Sequence, residues 1–225
     1  MLRSAVLLLA VSAPLFAAEP TLGKLSEKYE SGNRGPGTVS DGVGDPGGVS
    51  YGTYQLASKV GRADAFVTKY YPKEFAGLKG GSDEFTTKWK ELAKNDPAGL
   101  RAKEHEYIQE SHYDPQVKKL AKELNLDVVK RSAALRDVVW STAVQHGPNT
   151  DVIVKAAGTL TKDGAKIDAV TDEQLIKAVY AERGRKTEDG KKLARFKGVS
   201  EKWIPGLIKR FENELADALA MLKKE

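Results

Sequence analysis

The stretch KYESGNRGPGTVSDGVGDPGGVSYGTYQL, residues 28–56, decides how the rest of the chain is read. A short helix is predicted over Leu22 to Ser31, with Thr21 as its N-cap and Gly32 as its stop. Residues 32–52 then hold eight glycines and two prolines, so no helix continues through them. A phosphate-cradling loop is excluded, because no apolar strand precedes the glycines and no Lys-Ser/Thr follows them. A calcium loop is excluded too, since Asp41-Gly-Val-Gly-Asp45 lacks the alternating ligands and the closing glutamate. What remains is Glu30 on the last turn of a helix, beside Tyr29 and Leu25. Those neighbours would desolvate its carboxyl and help it keep a proton, as a general acid must. Asp45 follows fifteen residues later and Asp41 eleven, within reach of the opposite side of a cleft. Two carboxyls facing across a sugar are the machinery of glycoside hydrolysis. The same residue types also suit a solvated helix end followed by turn-forming aspartates, so the residues alone leave both readings open.

Downstream, helical periodicity returns, and helices are predicted near 56–71, 82–94, 97–112, 115–124, 127–146, 150–157, 172–184 and 201–224. Ser82-Asp83-Glu84 and Thr171-Asp172-Glu173 place acids in first turns, and Asp96-Pro97 and Asp114-Pro115 pair a capping acid with a proline at the first helical position. Gly147-Pro148 should end the helix that carries Trp140. Thr159 to Ala169 reads as a small hairpin or a loop. Trp89, Trp140 and Trp203 lie on apolar stripes and are expected in the core. Residues 49–55 suggest a hairpin strand on which Tyr51 and Gln55 share one face and Ser50 and Tyr54 the other.

These four residues, with Gln145 and His146 at a helix end, are candidates for binding a sugar through ring stacking and amide or hydroxyl hydrogen bonds. His146 could equally be a partner for the terminal carbonyls of its helix. His105 and His112 lack the spacing of a zinc motif, and no metal is expected. Glu182 and Arg183 are read as an ion pair, either bracing the cleft or lying on the surface.

The 225 residues contain 36 Lys+Arg and 31 Asp+Glu, a net charge of +5, with 40% hydrophobic and 30% charged residues and no cysteine. That composition excludes a disordered tail and a polytopic membrane protein, and rules out disulfides and thiolate metal sites. Met1 to Ala18 has a basic start, an apolar run over Ala5–Phe16 and small residues before Glu19, the pattern of a signal peptide. The run is too short to span a bilayer, so export without stable membrane insertion is expected, with residues 19–225 forming one domain. Basic residues are spread among acids rather than gathered in a stripe, which argues against a nucleic-acid partner.

Tyr29-Glu30-Ser31-Gly32 and Gly48-Val49-Ser50-Tyr51-Gly52-Thr53-Tyr54-Gln55-Leu56 together resemble the lysozyme-like superfamily, in which a helix-end Glu-Ser precedes a small hairpin. Ile108–Val117, Asp137–Pro148 and Val179–Arg185 extend the likeness to roughly residues 24–215. In particular the chain is similar to the lysozyme-like domain at the C-terminus of some type VI secretion spike proteins, a group related to chitosanases. The resemblance implies an α+β, mostly helical, lysozyme-like fold and a periplasmic or secreted muramidase that cuts the glycan strands of peptidoglycan without a cofactor. It implies Glu30 as general acid and Asp45 as second carboxylate, with Asp41 a rival for the latter role. An immunity or inhibitor protein is a further implied partner. A lytic transglycosylase using one glutamate, a chitosanase-like enzyme and a non-catalytic wall-binding protein are the alternatives.

Overall fold

The computed structural model describes residues 22–196 and 198–225. The expected signal segment and the Thr21 cap lie outside the described residues. Among those described, the chain forms α1 (Lys24–Ser31), β1 (Ser50–Tyr51), β2 (Leu56–Ala57), α2 (Arg62–Tyr70), α3 (Asp83–Asn95), α4 (Pro97–Ile108), α5 (Asp114–Leu124), α6 (Ala133–His146), α7 (Val152–Leu160), α8 (Asp172–Arg183) and α9 (Ile204–Leu222). The class is α+β and mostly helical. No described helix is long and apolar enough to cross a membrane.

α6 is the central post. Ten of its fourteen residues are buried, among them the polar Asp137, Ser141 and Thr142, so it needs neighbours on nearly every side. It packs against α1, α5, α7, α8 and α9. Trp140, fully buried on α6, stacks on His105 at 4.6 Å between ring centroids. A second aromatic cluster joins Trp89, Phe85, Phe66 and Phe75 under the sheet.

Several helix starts follow their sequence signals. Ser82 accepts from the Phe85 N–H at 3.1 Å, Asp96 accepts from the Gly99 N–H at 2.8 Å ahead of Pro97, and Thr171 forms a reciprocal capping box with Gln174. Each cap contributes about 1 kcal/mol. Elsewhere the structure differs from the sequence pattern. Pro115 lies in the first turn of α5 as expected, but Asp114 is itself helical and caps nothing. A single π turn over Gln109–Tyr113 carries α4 into α5, and its wider hydrogen-bonding ring tolerates the missing proline N–H. The stretch 56–71 divides into β2 and α2, and 127–146 begins with a 3₁₀ turn at Val128–Lys130 before Ser132 caps α6. Thr159 to Ala169 forms no hairpin: it closes α7 and continues to a 3₁₀ turn at Ile167–Ala169. Trp203 is 62% exposed rather than in the core.

α1 is aimed by two features at its ends. At its start Gly23 sits at φ +87°, and its amide donates to buried Asp137 of α6 at 2.8 Å, with the Leu25 amide beside it. A side chain at Gly23 would press on Tyr54 and Trp140. Burial pushes the Asp137 carboxyl up to about 7, against these amide hydrogen bonds, which hold it down. At its end Gly32 adopts φ +62°, and the Asn33 amide donates to the Glu27 carbonyl at 3.1 Å, closing the helix one residue after Glu30.

Candidate active site

Glu30 stands on the last turn of α1 with its side chain 20% exposed, and its Oε1 accepts from Arg210 Nη2 at 2.6 Å. Arg210 comes from α9, and its guanidinium lies 5.8 Å from the Tyr29 ring centroid. Behind it the charges run inward. Arg210 Nε is 3.6 Å from Glu214, one turn further along α9, and Glu214 is wholly buried with Arg183, whose two terminal nitrogens each donate to it at 3.2 Å. Ser141 also donates to Glu214, and Arg183 Nη2 reaches Gln145 Oε1 at 2.6 Å. Burial alone would raise the Glu214 carboxyl, but Arg183, Arg210 and Ser141 outweigh it and leave it below its ordinary value. Burial likewise opposes the charge on Arg210, and Glu30 and Glu214 overcome it. A carboxylate so satisfied is a rigid anchor, so Glu30 is tied through Arg210 to the core.

This arrangement corrects one expectation. Arg183 does not pair with Glu182. The two neighbours face apart: Arg183 turns in to Glu214, while Glu182 accepts from Arg185 and Arg195.

The glycine-rich loop is built around a neck. Gly42 at φ +67° lies so close to Gly48 and Val49 that an added Cβ would stand 2.7 Å from the Val49 nitrogen. The Ser40 amide donates to the Ser50 carbonyl and the Ser50 amide to Ser40 Oγ, both at 2.9 Å. Asp41 and Asp45 are exposed on this loop. Asp41 Oδ1 accepts from the Val43 amide at 3.1 Å and Asp45 Oδ1 from the Gly47 amide at 2.7 Å. Among the described residues, their carboxylates bond only to amides of their own loop, in the turn geometry favoured by aspartate.

The hairpin residues are placed differently from a simple alternation. β1 pairs with β2 through Ser50–Ala57 and Tyr51–Leu56, so residues 52–55 form the turn and no strand face runs through them. Tyr51 is fully buried, with its hydroxyl against Thr86 Oγ1 at 2.8 Å, and offers no ring face to a sugar. Tyr54 is 3% exposed and its hydroxyl lies between Glu27 and His105 Nδ1. Both tyrosines therefore hold the sheet rather than present stacking surfaces. Ser50 is buried, and Gln55 folds its amide back to the Gly52 carbonyl at 2.9 Å. Gln145 is engaged by Arg183. His146 packs on Phe196 at 5.0 Å, and burial, aided by Arg183, Arg195 and Arg210, pushes its ring down to about 3, so it is neutral at working pH.

Beside the hairpin lies another buried acid. Glu104 on α4 is fully buried and accepts from the Thr53 amide at 3.1 Å. Gly52 at φ +79° makes that possible, because a Cβ there would fall 1.5 Å from Glu104 Oε1. Burial pushes the Glu104 carboxyl up to about 8, while its hydrogen bonds with Thr53 and the nearby Arg101 lower it. Among the described residues no group of three or more His, Asp or Glu side chains is arranged to hold a metal ion.

The site thus combines a helix-end glutamate, wired to a buried Glu–Arg network, with a following glycine loop that carries two aspartates. Residues 22–215 match the family model of the type VI secretion system spike protein VgrG3-like C-terminal region, and the chain belongs to that family. It is 39% identical over 156 residues to the type VI secretion system spike protein VgrG3 of Vibrio cholerae serotype O1. The match covers 69% of this chain and 15% of that protein, so the likeness concerns one region of a much longer relative.

Proposed function

We propose that this protein is an exported peptidoglycan hydrolase of lysozyme-like fold, acting in the periplasm or outside the cell as a muramidase. The observation that carries the proposal is the tether of Glu30: a partly exposed carboxyl at a helix end, held by Arg210, which is itself seated on buried Glu214. Membership of the VgrG3-like C-terminal family supports the same reading.

In the proposed reaction the bound glycan displaces Arg210 from one Glu30 oxygen, that oxygen takes up a proton from solvent, and Glu30 then delivers it to the glycosidic oxygen as the bond to the anomeric carbon breaks. Asp45 takes a proton from the water that attacks from the opposite face, and a gap of about 6.5–9.5 Å between the carboxyls would invert the configuration. The glycan displaces solvent from Glu30 and exchanges its oxygen for part of the Arg210 contact, while Arg210 keeps the carboxyl in one orientation. Asp41 is the alternative base. The self-contained hydrogen bonding of both aspartates favours one rival, a lytic transglycosylase that needs only Glu30 and lets the sugar's own hydroxyl attack. The test is lysis of purified sacculi. Wild-type protein should clear the suspension and folded Glu30→Gln should not. Undiminished clearing by the variant overturns the assignment.

A further inference from the structure

We propose that Trp203 is a sugar-stacking platform that binds a pyranose of the glycan strand beyond Glu30, an inference that rests on the hydrolase reading for the identity of the strand.

Trp203 ends the 3₁₀ turn Glu201–Trp203 and is the N-cap of α9, and with Arg210 and Asp217 it keeps a spacing of seven, which along a helix axis returns to nearly the same face with a drift of about 20° per step. The covering of that stripe by α1 is orderly. Asp217 accepts from Lys28 and Tyr29, and Arg210 donates to Glu30, so the two helices run antiparallel with α1 advancing toward the start of α9. α1 stops at Ser31. The next position on the stripe, Trp203, is thus uncovered: it is 62% exposed, while Trp89 and Trp140 are fully buried. It stands about 10 Å along the axis from Arg210, the span of roughly two sugar rings. Lys202 Nζ lies 5.1 Å from its ring centroid and further polarises the surface.

Trp203 leaves a large aromatic surface open to solvent. Here it lies on the line of the helix face that reaches the candidate acid, and a flat apolar ring suits the C–H face of a pyranose. The expected hairpin tyrosines are buried, so Trp203 supplies the aromatic surface that they do not.

The experiment uses the full chain in a Glu30→Gln background, titrated with chitohexaose while tryptophan emission is followed. Only one of the three indoles is open to solvent, and loss of the emission change in Trp203→Ala assigns the signal to it. A saturable emission change is expected. Trp203→Ala should weaken binding to chitohexaose and to sacculi by about tenfold, and Trp203→Tyr should recover most of it. Because the side chain is exposed, circular-dichroism melts should be unchanged. Equal binding by Trp203→Ala, no emission change while sacculi are still bound, or no binding of either probe overturns the proposal. If the indole responds and binding depends on it, but active wild-type protein releases no new chain ends, the stacking site stands and the hydrolase reading falls.

Discussion

Arg183 and Arg210 both touch Glu214, yet removing them should have opposite consequences. Glu214 and Arg183 are each 0% exposed, and Arg183 supplies two donors at 3.2 Å. Arg183→Met leaves a buried carboxylate with Ser141 and a 3.6 Å charge contact from Arg210. Such a loss costs about 3–5 kcal/mol, or about 10 °C in Tm for a domain of this size. Arg210→Met leaves Glu214 with Arg183 and Ser141 intact and keeps an apolar stem against Tyr29, so the stability cost is about 1 kcal/mol. Glu30, however, loses the donor that fixes it, and a misplacement of roughly 1 Å reduces turnover by about 100-fold. Denaturant melts and sacculus turbidity measured on both variants separate the two effects. Arg210→Met with wild-type lysis, or with a stability loss as large as that of Arg183→Met, would refute the assignment of Arg210 to positioning.

Two further outcomes follow from the same geometry. The folded chain holds a proton on Glu104 up to about pH 8, whereas the unfolded carboxyl loses it near 4.5, so stability should fall by a few kcal/mol as pH rises between those values and level off above. Asp137, pushed up to about 7, adds to the fall in the same direction. Glu104→Gln retains an acceptor for Thr53 and should flatten the slope in thermal melts across that window; an unchanged slope would contradict the burial argument. Asp45→Asn should reduce hydrolysis by about 100-fold or more while Asp41→Asn costs little, and the reverse order would transfer the base role to Asp41.

The local features were legible because they are encoded locally. Gly32 stops α1, Ser82, Asp96 and Thr171 cap their helices, and the glycine window excludes regular structure before the hairpin. The hairpin alternation failed because the strands are two residues each and a tight turn, forced by the approach of Gly52 to Glu104, replaces the expected continuation. The proline at 115 marks the first turn of α5, but the π turn that joins α5 to α4 without a break has no sequence signature. Glu30 was visible as a helix-end acid, but its partner Arg210 lies 180 residues away, and Asp137 reaches Gly23 across 114. Such pairings depend on how helices stack. The seven-residue spacing of Trp203, Arg210 and Asp217 was available in the sequence, yet only the length of α1 decides which of the three is left open.

The most direct test of the central claim is a sacculus digest in heavy-oxygen water, with fragment masses compared between wild type and Glu30→Gln. Proton donation by Glu30 with attack by water predicts reducing muramic ends that carry one heavy oxygen per cut, and none from the variant. Labelled ends at wild-type yield from folded Glu30→Gln would contradict it, and anhydro ends without label would replace attack by water with attack by the sugar itself.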